Sequence, residues 1–254
     1  MPRGHNGRLV LALLADIHSN LEALQACLAH ARAGGARRFA LLGDLVGYGA
    51  DPAGVVDVAM DLARDGAVVV RGNHDEAIEG ESSYLNRSAM EAIAWTRPVL
   101  GDAQRRFLAS LPLEVREPDA CFAHASVHQP ARWDYIDGPA AAHRCMEAAG
   151  TPYAFCGHVH DPRLYFESRP GRAVAFRPTA GTMIPVPRHR RWLAIPGSVG
   201  QPRDGDTRAA YALVDFDAER ITFHRVPYDH GGVADKMERA GLPASLVYRM
   251  RRGI

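Results

Sequence analysis

Apolar runs and amphipathic stretches alternate through the first part of the chain. An apolar run over residues 9–15 is followed, after a short loop, by residues 21–31, which place Leu21, Leu24 and Leu28 on one helical face. The same alternation continues over three further segments, in the order strand, helix, strand: 39–42, 52–64 and 67–70. Three strands separated by helices predict a parallel β-α-β construction.

Helical and then strand-like patterns fill the rest of the chain. Residues 83–110 are helical in composition, with a break at Pro98 and at Gly101-Asp102, and we expect them to cover one side of the core. Residues 233–251 predict a C-terminal helical stretch broken at residues 241–243. Between these regions one helix is predicted at 140–149, and strands are predicted at the following segments: 120–123, 153–156, 164–167, 174–177, 192–195, 211–216 and 221–226.

Length and charge narrow the class of protein. The chain has 254 residues and no low-complexity linker, so we predict one domain over residues 1–254, with a core at about 9–229 and a helical tail at about 230–254. Thirty basic and 29 acidic residues leave a formal charge of +1. This balance gives no reason to expect duplex nucleic acid or an anionic membrane as a partner.

The cysteines and the first apolar run indicate the cellular compartment of the protein. Cys27, Cys121, Cys145 and Cys156 show neither disulfide-framework nor zinc-site spacing, which is typical of reduced thiols. The apolar run at residues 9–15 is too short to span a bilayer. We therefore predict a cytoplasmic protein with no membrane or export signal.

Metal-ligand side chains follow the apolar runs of five predicted strands. In chain order the motifs are Asp16-Ile17-His18, Gly43-Asp44, Gly72-Asn73-His74-Asp75, His124 and Gly157-His158-Val159-His160. The first motif alone is a weak signal, because an Asp after a strand also caps helices. Open α/β sheets place their ligand sites beyond the carboxyl ends of their strands. Five such strand ends therefore predict one shared metal site.

The chemistry of these donors indicates the ions. Imidazole, carboxylate and amide groups without a thiolate suit catalytic divalent ions rather than a structural zinc site. The donors suffice for two ions that share one carboxylate, and Asp44 is the natural bridge. We expect two divalent metal ions, manganese first, with iron, nickel, zinc, cobalt or magnesium as the other candidates. Two such ions activate water and hold phosphoryl oxygens, so the donor set favours attack on phosphorus.

The ordered motifs resemble the calcineurin-like metallophosphoesterase superfamily. Three segments resemble its bacterial and archaeal stand-alone branch, which is described as phosphodiesterase-like or related to diadenosine tetraphosphatases: 16–24 (DIHSNLEAL), 43–49 (GDLVGYG) and 196–203 (PGSVGQPR). The resemblance extends from residue 9 to about residue 229. It implies an α/β fold, a four-layer αββα sandwich of two mixed β-sheets flanked by helices.

The resemblance also implies a role for each motif residue. One ion would take Asp16, His18 and His160, the second would take Asn73, His124 and His158, and Asp44 would bridge the two. A hydroxide bridging the ions would attack phosphorus, and His74 resembles the general acid that protonates the leaving oxygen. Asp75 either holds the His74 imidazole in its protonated form or caps the next helix, and the sequence leaves both roles open.

Tyr48 is the main departure from the related phosphatases. Protein Ser/Thr phosphatases and the symmetric dinucleoside tetraphosphatases carry a phosphate-clamping arginine at this position. Its loss disfavours a dianionic monoester, whereas a tyrosine can stack on a base or line a pocket. Arg203 is the stronger candidate to replace the clamp, and Arg71 is the other. Asn20 either contacts substrate or caps the following helix.

These expectations combine into one predicted function. We predict a metal-dependent hydrolase of phosphodiester or nucleotide phosphoanhydride bonds that acts on a small phosphorylated substrate, with nucleotides among the candidates. The alternatives are a phosphomonoesterase or protein Ser/Thr phosphatase, and a metal-binding interaction module without catalysis. Tyr48 tells against the phosphatase, and the complete set of metal ligands tells against the module. The sequence does not indicate an oligomeric state.

Overall fold

Two six-stranded β-sheets form the centre of the protein, in a computed structural model that describes residues 10–80 and 85–254. The first sheet contains, in spatial order, β3 (Val68–Val69), β2 (Arg38–Leu41), β1 (Val10–Leu14), β11 (Ala209–Asp215), β12 (Arg220–Val226) and β9 (Met183–Pro185). The second contains β4 (Glu114–Arg116), β5 (Ala120–Ala123), β6 (Tyr153–Phe155), β10 (Trp192–Ile195), β7 (Arg163–Arg169) and β8 (Arg172–Phe176). Strands β1, β2 and β3 are parallel, as are β5, β6 and β10, and the remaining pairs are antiparallel. Both sheets are therefore mixed.

Helices flank the sheets. In chain order they are α1 (Leu21–Ala33), α2 (Pro52–Arg64), α3 (Asn73–Glu76), α4 (Arg87–Thr96), α5 (Asp102–Ser110), α6 (Pro139–Ala149), α7 (His230–Arg239) and α8 (Ala244–Arg252). Helices α1 and α2 pack on the first sheet, and α6 packs on the second. Among the described residues, no helix combines the length and the apolar character that crossing a membrane requires.

The alternation of side chains along β1 explains how the layers hold together. Successive side chains of a strand point to opposite faces of its sheet. Leu11 and Leu13 therefore pack into the core between the two sheets, with Phe122 and Phe155 of the second sheet, while Leu14 faces the helical layer. This order of helix, sheet, sheet and helix confirms the predicted αββα sandwich.

Most predicted elements are present, with differences at their ends. Helix α2 has the predicted bounds, and residues 85–110 form two helices, α4 and α5, separated near the predicted break. The three-residue strands β4 and β9 and the single-turn helix α3 were not predicted. Residue 9 and residues 83–84, which the predictions also included, lie outside the described residues. The single-domain organisation stays a prediction.

Candidate metal centre

The topology brings the predicted metal ligands to one edge of the sandwich. Because β1, β2 and β3 run parallel, the loops that follow them open at the same edge of the first sheet. These loops carry Asp16, His18 and Asp44, and Asn73 begins α3. The loops after β5 and β6 carry the other three predicted ligands, His124, His158 and His160, from the second sheet. The donors thus meet where the two sheets adjoin.

A first group of donors lies around His18. Its members are Asp16, His18, Asp44 and His160, which are all buried and whose donor atoms lie within 4.8 Å of one another. Nε2 of His18 is 3.1 Å from Nε2 of His160 and 3.6 Å from Oδ2 of Asp44. Nε2 of His160 is 3.3 Å from Oδ1 of Asp16. One divalent ion would take its ligands from this group.

A second group lies around His124 and shares Asp44 with the first. Its members Asp44, His124 and His158 also have donor atoms within 4.8 Å of one another. Nε2 of His124 is 3.4 Å from Oδ2 of Asp44, 3.1 Å from Nδ1 of His158 and 3.2 Å from Oδ1 of Asn73. The same carboxylate oxygen of Asp44 therefore faces imidazoles of both groups.

Backbone carbonyls fix the tautomers of three of these histidines. Nδ1 of His18 contacts the Val46 carbonyl at 3.2 Å, and Nδ1 of His160 contacts the Gln201 carbonyl at 2.6 Å. His124 makes the same contact to Leu42, at 2.7 Å. Since a carbonyl only accepts, each Nδ1 must carry the proton, and each Nε2 keeps its lone pair toward the centre. Facing lone pairs at 3.1 Å fit a cation between them, so the residues present suit the predicted ions.

The backbone at the site adopts an unusual conformation. Five of the seven predicted ligands have positive φ, between 49° and 67°: Asp16, His18, Asp44, His158 and His160. Asp and His tolerate this left-handed region better than most residues, but each such residue still costs on the order of 1–3 kcal/mol. The surrounding fold therefore holds strained loops in place at the donor clusters.

Burial and neighbouring charges set the ionisation of the donors. Although burial alone would raise it, the imidazoles of His124 and His74 hold the pKa of Asp44 well below its ordinary value. Burial raises the pKa of Asp16 to about 7 and lowers the pKa of His158 to about 3. His124 is the exception, because the Asp44 charge outweighs burial and raises its pKa to about 9. Neutral imidazole is the form that binds metals, and burial favours that form at most of these histidines.

A cavity of about 420 Å³ opens beside the donors, and Tyr48 and Arg203 line it. The Tyr48 ring is buried, with its centroid 4.5 Å from the ring centroids of His18 and of His74. The Arg203 guanidinium lies 3.4 Å from the Tyr48 hydroxyl. Arg71 instead donates to the Leu111 carbonyl at 3.0 Å. Of the two candidate clamp arginines, Arg203 is the one that the structure places in the cavity.

Of the two roles left open for Asp75, the structure favours helix capping. Its carboxylate accepts hydrogen bonds from the backbone amides of Leu45 at 2.9 Å, Val46 at 3.2 Å and Gly72 at 2.9 Å. It makes no hydrogen bond to the His74 imidazole, whose Nδ1 is buried without a hydrogen-bonding partner among the described residues. Asp75 therefore braces the loop after β2 and the start of α3, which corresponds to the capping alternative.

Asn20 also has a structural role. Its Oδ1 accepts from the Ala23 amide at 3.1 Å and so caps α1, while its Nδ2 donates to the Gly200 carbonyl at 3.0 Å and the Tyr228 hydroxyl at 3.1 Å. The side chain is fully buried and does not line the cavity. The structure thus favours the helix-cap role over the predicted substrate contact.

Replacing Asn20 by alanine should destabilise the protein without removing catalysis. The helix loses its cap, at about 1 kcal/mol, and the buried Gly200 carbonyl loses a donor, at about 1–3 kcal/mol. Thermal unfolding should show a lower midpoint than for Asn86→Ala, which removes the Asn86 cap of α4 alone. Unchanged thermal stability together with lost hydrolysis would instead support a substrate contact for Asn20.

Two aromatic residues at the cavity were not predicted from the sequence. The Tyr135 ring stacks on His158, with centroids 4.0 Å apart and planes at 27°, and 53% of this residue is exposed. Trp133 is buried and donates from its indole to Glu76 at 3.1 Å. Both follow the 3₁₀ turn Pro130–Arg132, whose sequence has no strand or helix periodicity. The only signal in the sequence was the presence of two aromatic residues, Trp133 and Tyr135, just after that turn.

Comparisons with known proteins agree with this geometry. Residues 9–219 match the model of the calcineurin-like phosphoesterase superfamily domain. The crystal structure of a metallophosphoesterase from Sphaerobacter thermophilus is 37% identical, with a TM-score of 0.87 over 98% of this chain and 100% of that one. A hypothetical protein from Pyrococcus horikoshii OT3 shares the fold at 21% identity, with a TM-score of 0.78 over 97% and 99% of the two chains.

A curated relative is also similar along nearly its whole length. An uncharacterised protein of Methanocaldococcus jannaschii is 34% identical over 250 residues, which cover 96% of this chain and 98% of the relative. This chain belongs to the calcineurin-like phosphoesterase superfamily. The family and the buried donor clusters together indicate divalent metal ions and phosphoester hydrolysis.

Proposed function

We propose that this protein is a dinuclear-metal-dependent hydrolase of phosphodiester or nucleotide phosphoanhydride bonds. The observation that carries the proposal is the position of Asp44, whose Oδ2 faces His18 of the first donor group and His124 of the second. One carboxylate shared by two donor groups suits two ions a short distance apart. The first ion would be held by Asp16, His18 and His160, the second by Asn73, His124 and His158, and both by Asp44.

When bound, the two ions would supply an activated water and positive charge for the phosphoryl oxygens. The protein supplies the proton for the leaving group. His74 lines the cavity, and its Nε2 is 4.0 Å from Oδ2 of Asp44. Burial lowers the pKa of His74 to about 4, so the imidazole is neutral near pH 7 in the free protein. An anionic substrate beside it would raise that pKa and make His74 a proton donor.

The residues that line the cavity favour a diester or nucleotide substrate over a phosphomonoester. A monoester dianion gains most from a bidentate arginine next to the ions. Tyr48 occupies the position of that arginine, and its buried ring lies against His18 and His74. The exposed ring of Tyr135 offers a surface on which a base or another planar group could stack. Small phosphorylated molecules fit a cavity of about 420 Å³.

The predicted location also stands as part of this proposal. All four cysteines are buried free thiols. Reduced thiols are typical of the cytoplasm. A cytoplasmic enzyme acting on small soluble phosphate compounds accords with these thiols and with the net charge of +1.

Hydrolysis of model esters tests the proposal. Metal-stripped protein reloaded with manganese should hydrolyse bis-p-nitrophenyl phosphate at least about tenfold more efficiently than p-nitrophenyl phosphate, because the monoester lacks its clamp. The stripped protein without added metal is the control and should be inactive. Monoester preference would favour the phosphomonoesterase or protein phosphatase. If both esters stay intact with two ions bound, the proposal is wrong for these substrates and the non-catalytic module gains support.

A further inference from the structure

Two arginines line the cavity beside the metal centre. Arg203 and Arg249 both contribute to its wall, which Asp44 and His74 also line. Neither forms an ion pair with any residue in the described part of the chain, whereas a third arginine of the wall, Arg132, pairs with Asp134 at 3.2 Å. Guanidinium groups without a counter-charge, at the side of a cavity, bind phosphate oxygens well.

The packing of α8 explains how Arg249 reaches the cavity. Leu246, Val247 and Met250 of this helix are buried in one hydrophobic cluster with Tyr48. The helix ends at Gly253, whose φ is 67° and whose carbonyl accepts from the Gly205 amide at 2.8 Å. The loop that contains Gly205 also carries Arg203. A backbone hydrogen bond therefore joins α8, which carries Arg249, to the loop that carries Arg203.

Contacts with Tyr48 relate Arg203 to the donors. The Arg203 guanidinium lies 3.4 Å from the Tyr48 hydroxyl and 5.9 Å from the centroid of the Tyr48 ring. The centroid of that ring lies 4.5 Å from the ring centroids of His18 and of His74. Arg249 lines the same cavity from α8, whose buried residues share a hydrophobic cluster with Tyr48. The two guanidinium groups therefore reach the cavity from two different elements next to Tyr48.

We propose that Arg249 and Arg203 form a binding subsite for a second phosphate group, adjacent to the phosphate that is hydrolysed. This inference rests on the proposed phosphoesterase function and narrows its substrate class. The preferred substrates carry two or more linked phosphates, as nucleoside polyphosphates do. The Tyr135 ring, which is exposed at the same cavity, would serve the planar base of such a nucleotide.

A pair of substrates with the same leaving group tests the subsite. The first is the p-nitrophenyl ester of thymidine 5′-monophosphate, and the second is the γ-p-nitrophenyl ester of thymidine 5′-triphosphate. In both, water adds to the phosphorus that bears the ester and p-nitrophenol leaves. Only the second substrate has further phosphates beside the reacting one. With saturating manganese, we expect kcat/KM to be at least about tenfold higher for the triphosphate ester, because a charge-assisted hydrogen bond contributes about that factor.

Substitutions on α8 test whether Arg249 causes the preference for the triphosphate ester. In Arg249→Gln the ratio of the two kcat/KM values should fall by about tenfold or more, mainly through KM of the triphosphate ester. Arg252→Gln is the matched control, because Arg252 is exposed on the same helix and does not line the cavity. Arg249→Lys keeps the charge without the planar fork, and its ratio should lie between those of Arg249→Gln and the wild type. If Arg249→Gln does not fold, Arg249→Lys provides the test instead. A ratio in Arg249→Lys equal to that of the wild type would then overturn the subsite.

A binding measurement separates this inference from the proposed function. Isothermal titration of metal-loaded protein with inorganic tripolyphosphate and with orthophosphate needs no turnover. Arg249→Gln should weaken tripolyphosphate binding about tenfold relative to orthophosphate binding. If neither ester is hydrolysed but this difference holds, the proposed hydrolysis fails for these substrates while Arg249 still binds linked phosphates. A variant that keeps the wild-type ratio, both in hydrolysis and in titration, overturns the subsite.

Discussion

Asp44→Asn should reduce the hydrolysis of bis-p-nitrophenyl phosphate by about 10³-fold or more. Asp44 is the residue common to both donor groups, and its carboxylate faces imidazoles of each. The amide keeps the size and one oxygen but loses the negative charge that would hold two cations together. Losing the charge stabilisation from one ion costs several kcal/mol in the transition state, which corresponds to that factor.

Metal content and kinetics together check this expectation. Elemental analysis should find two ions per wild-type chain and fewer in Asp44→Asn, after identical stripping and reloading. Asp65→Asn is a matched control, since Asp65 is exposed after α2 and is not part of either donor group. If Asp44→Asn keeps two ions and loses less than tenfold in kcat/KM, then Asp44 does not bridge the ions.

His74→Asn should lower kcat most for substrates that have a poor leaving group. General acid catalysis contributes on the order of 10²–10⁴-fold, and it matters most when the departing oxygen needs a proton. For a deoxydinucleoside monophosphate, whose leaving group is an alcohol, we expect kcat to fall by about that factor. For bis-p-nitrophenyl phosphate we expect less than about tenfold, because p-nitrophenolate departs readily without protonation.

The leaving-group dependence separates proton donation from a structural role of His74. The imidazole fits closely against Gly47, where a Cβ atom would lie 2.4 Å from Nδ1 of His74, so a packing effect is a real alternative. A packing effect would lower the rates of both substrates equally. His189→Asn serves as a control because His189 is exposed and lies outside the cavity. Equal losses with the two substrates in His74→Asn would contradict the role as general acid.

The early strands and helices could be predicted because their sequences repeat a clear physical pattern. The run before Asp16 is continuously apolar, as in a strand buried on both faces, and the three leucines of α1 have helical spacing. The pattern did not reveal β4 and β9, because three-residue strands are too short to show alternation. Helix α3 was missed for a related reason: its four residues belong to the metal motif and carry no apolar face.

The donor residues could be predicted in kind, but the contacts that orient them could not. Motif order identified seven candidate ligands, and the structure brings all seven together. The sequence could not choose between the two roles of Asn20, because the choice depends on Gly200, which is distant along the chain. Tyr135 and Arg249 were not predicted for the same reason, since only tertiary packing places Tyr135 against His158 and Arg249 in the wall of the cavity.

The origin of the donors in both sheets has a consequence for the order of folding. The first donor group joins Asp16, which follows β1, to His160, which follows β6, so the site requires the two sheets to have met. A chain in which only the first sheet has formed has no complete set of ligands. Ion capture should therefore be a late event, and its rate should report the docking of the sheets. The rate of metal uptake would then measure the rate of the last stage of folding.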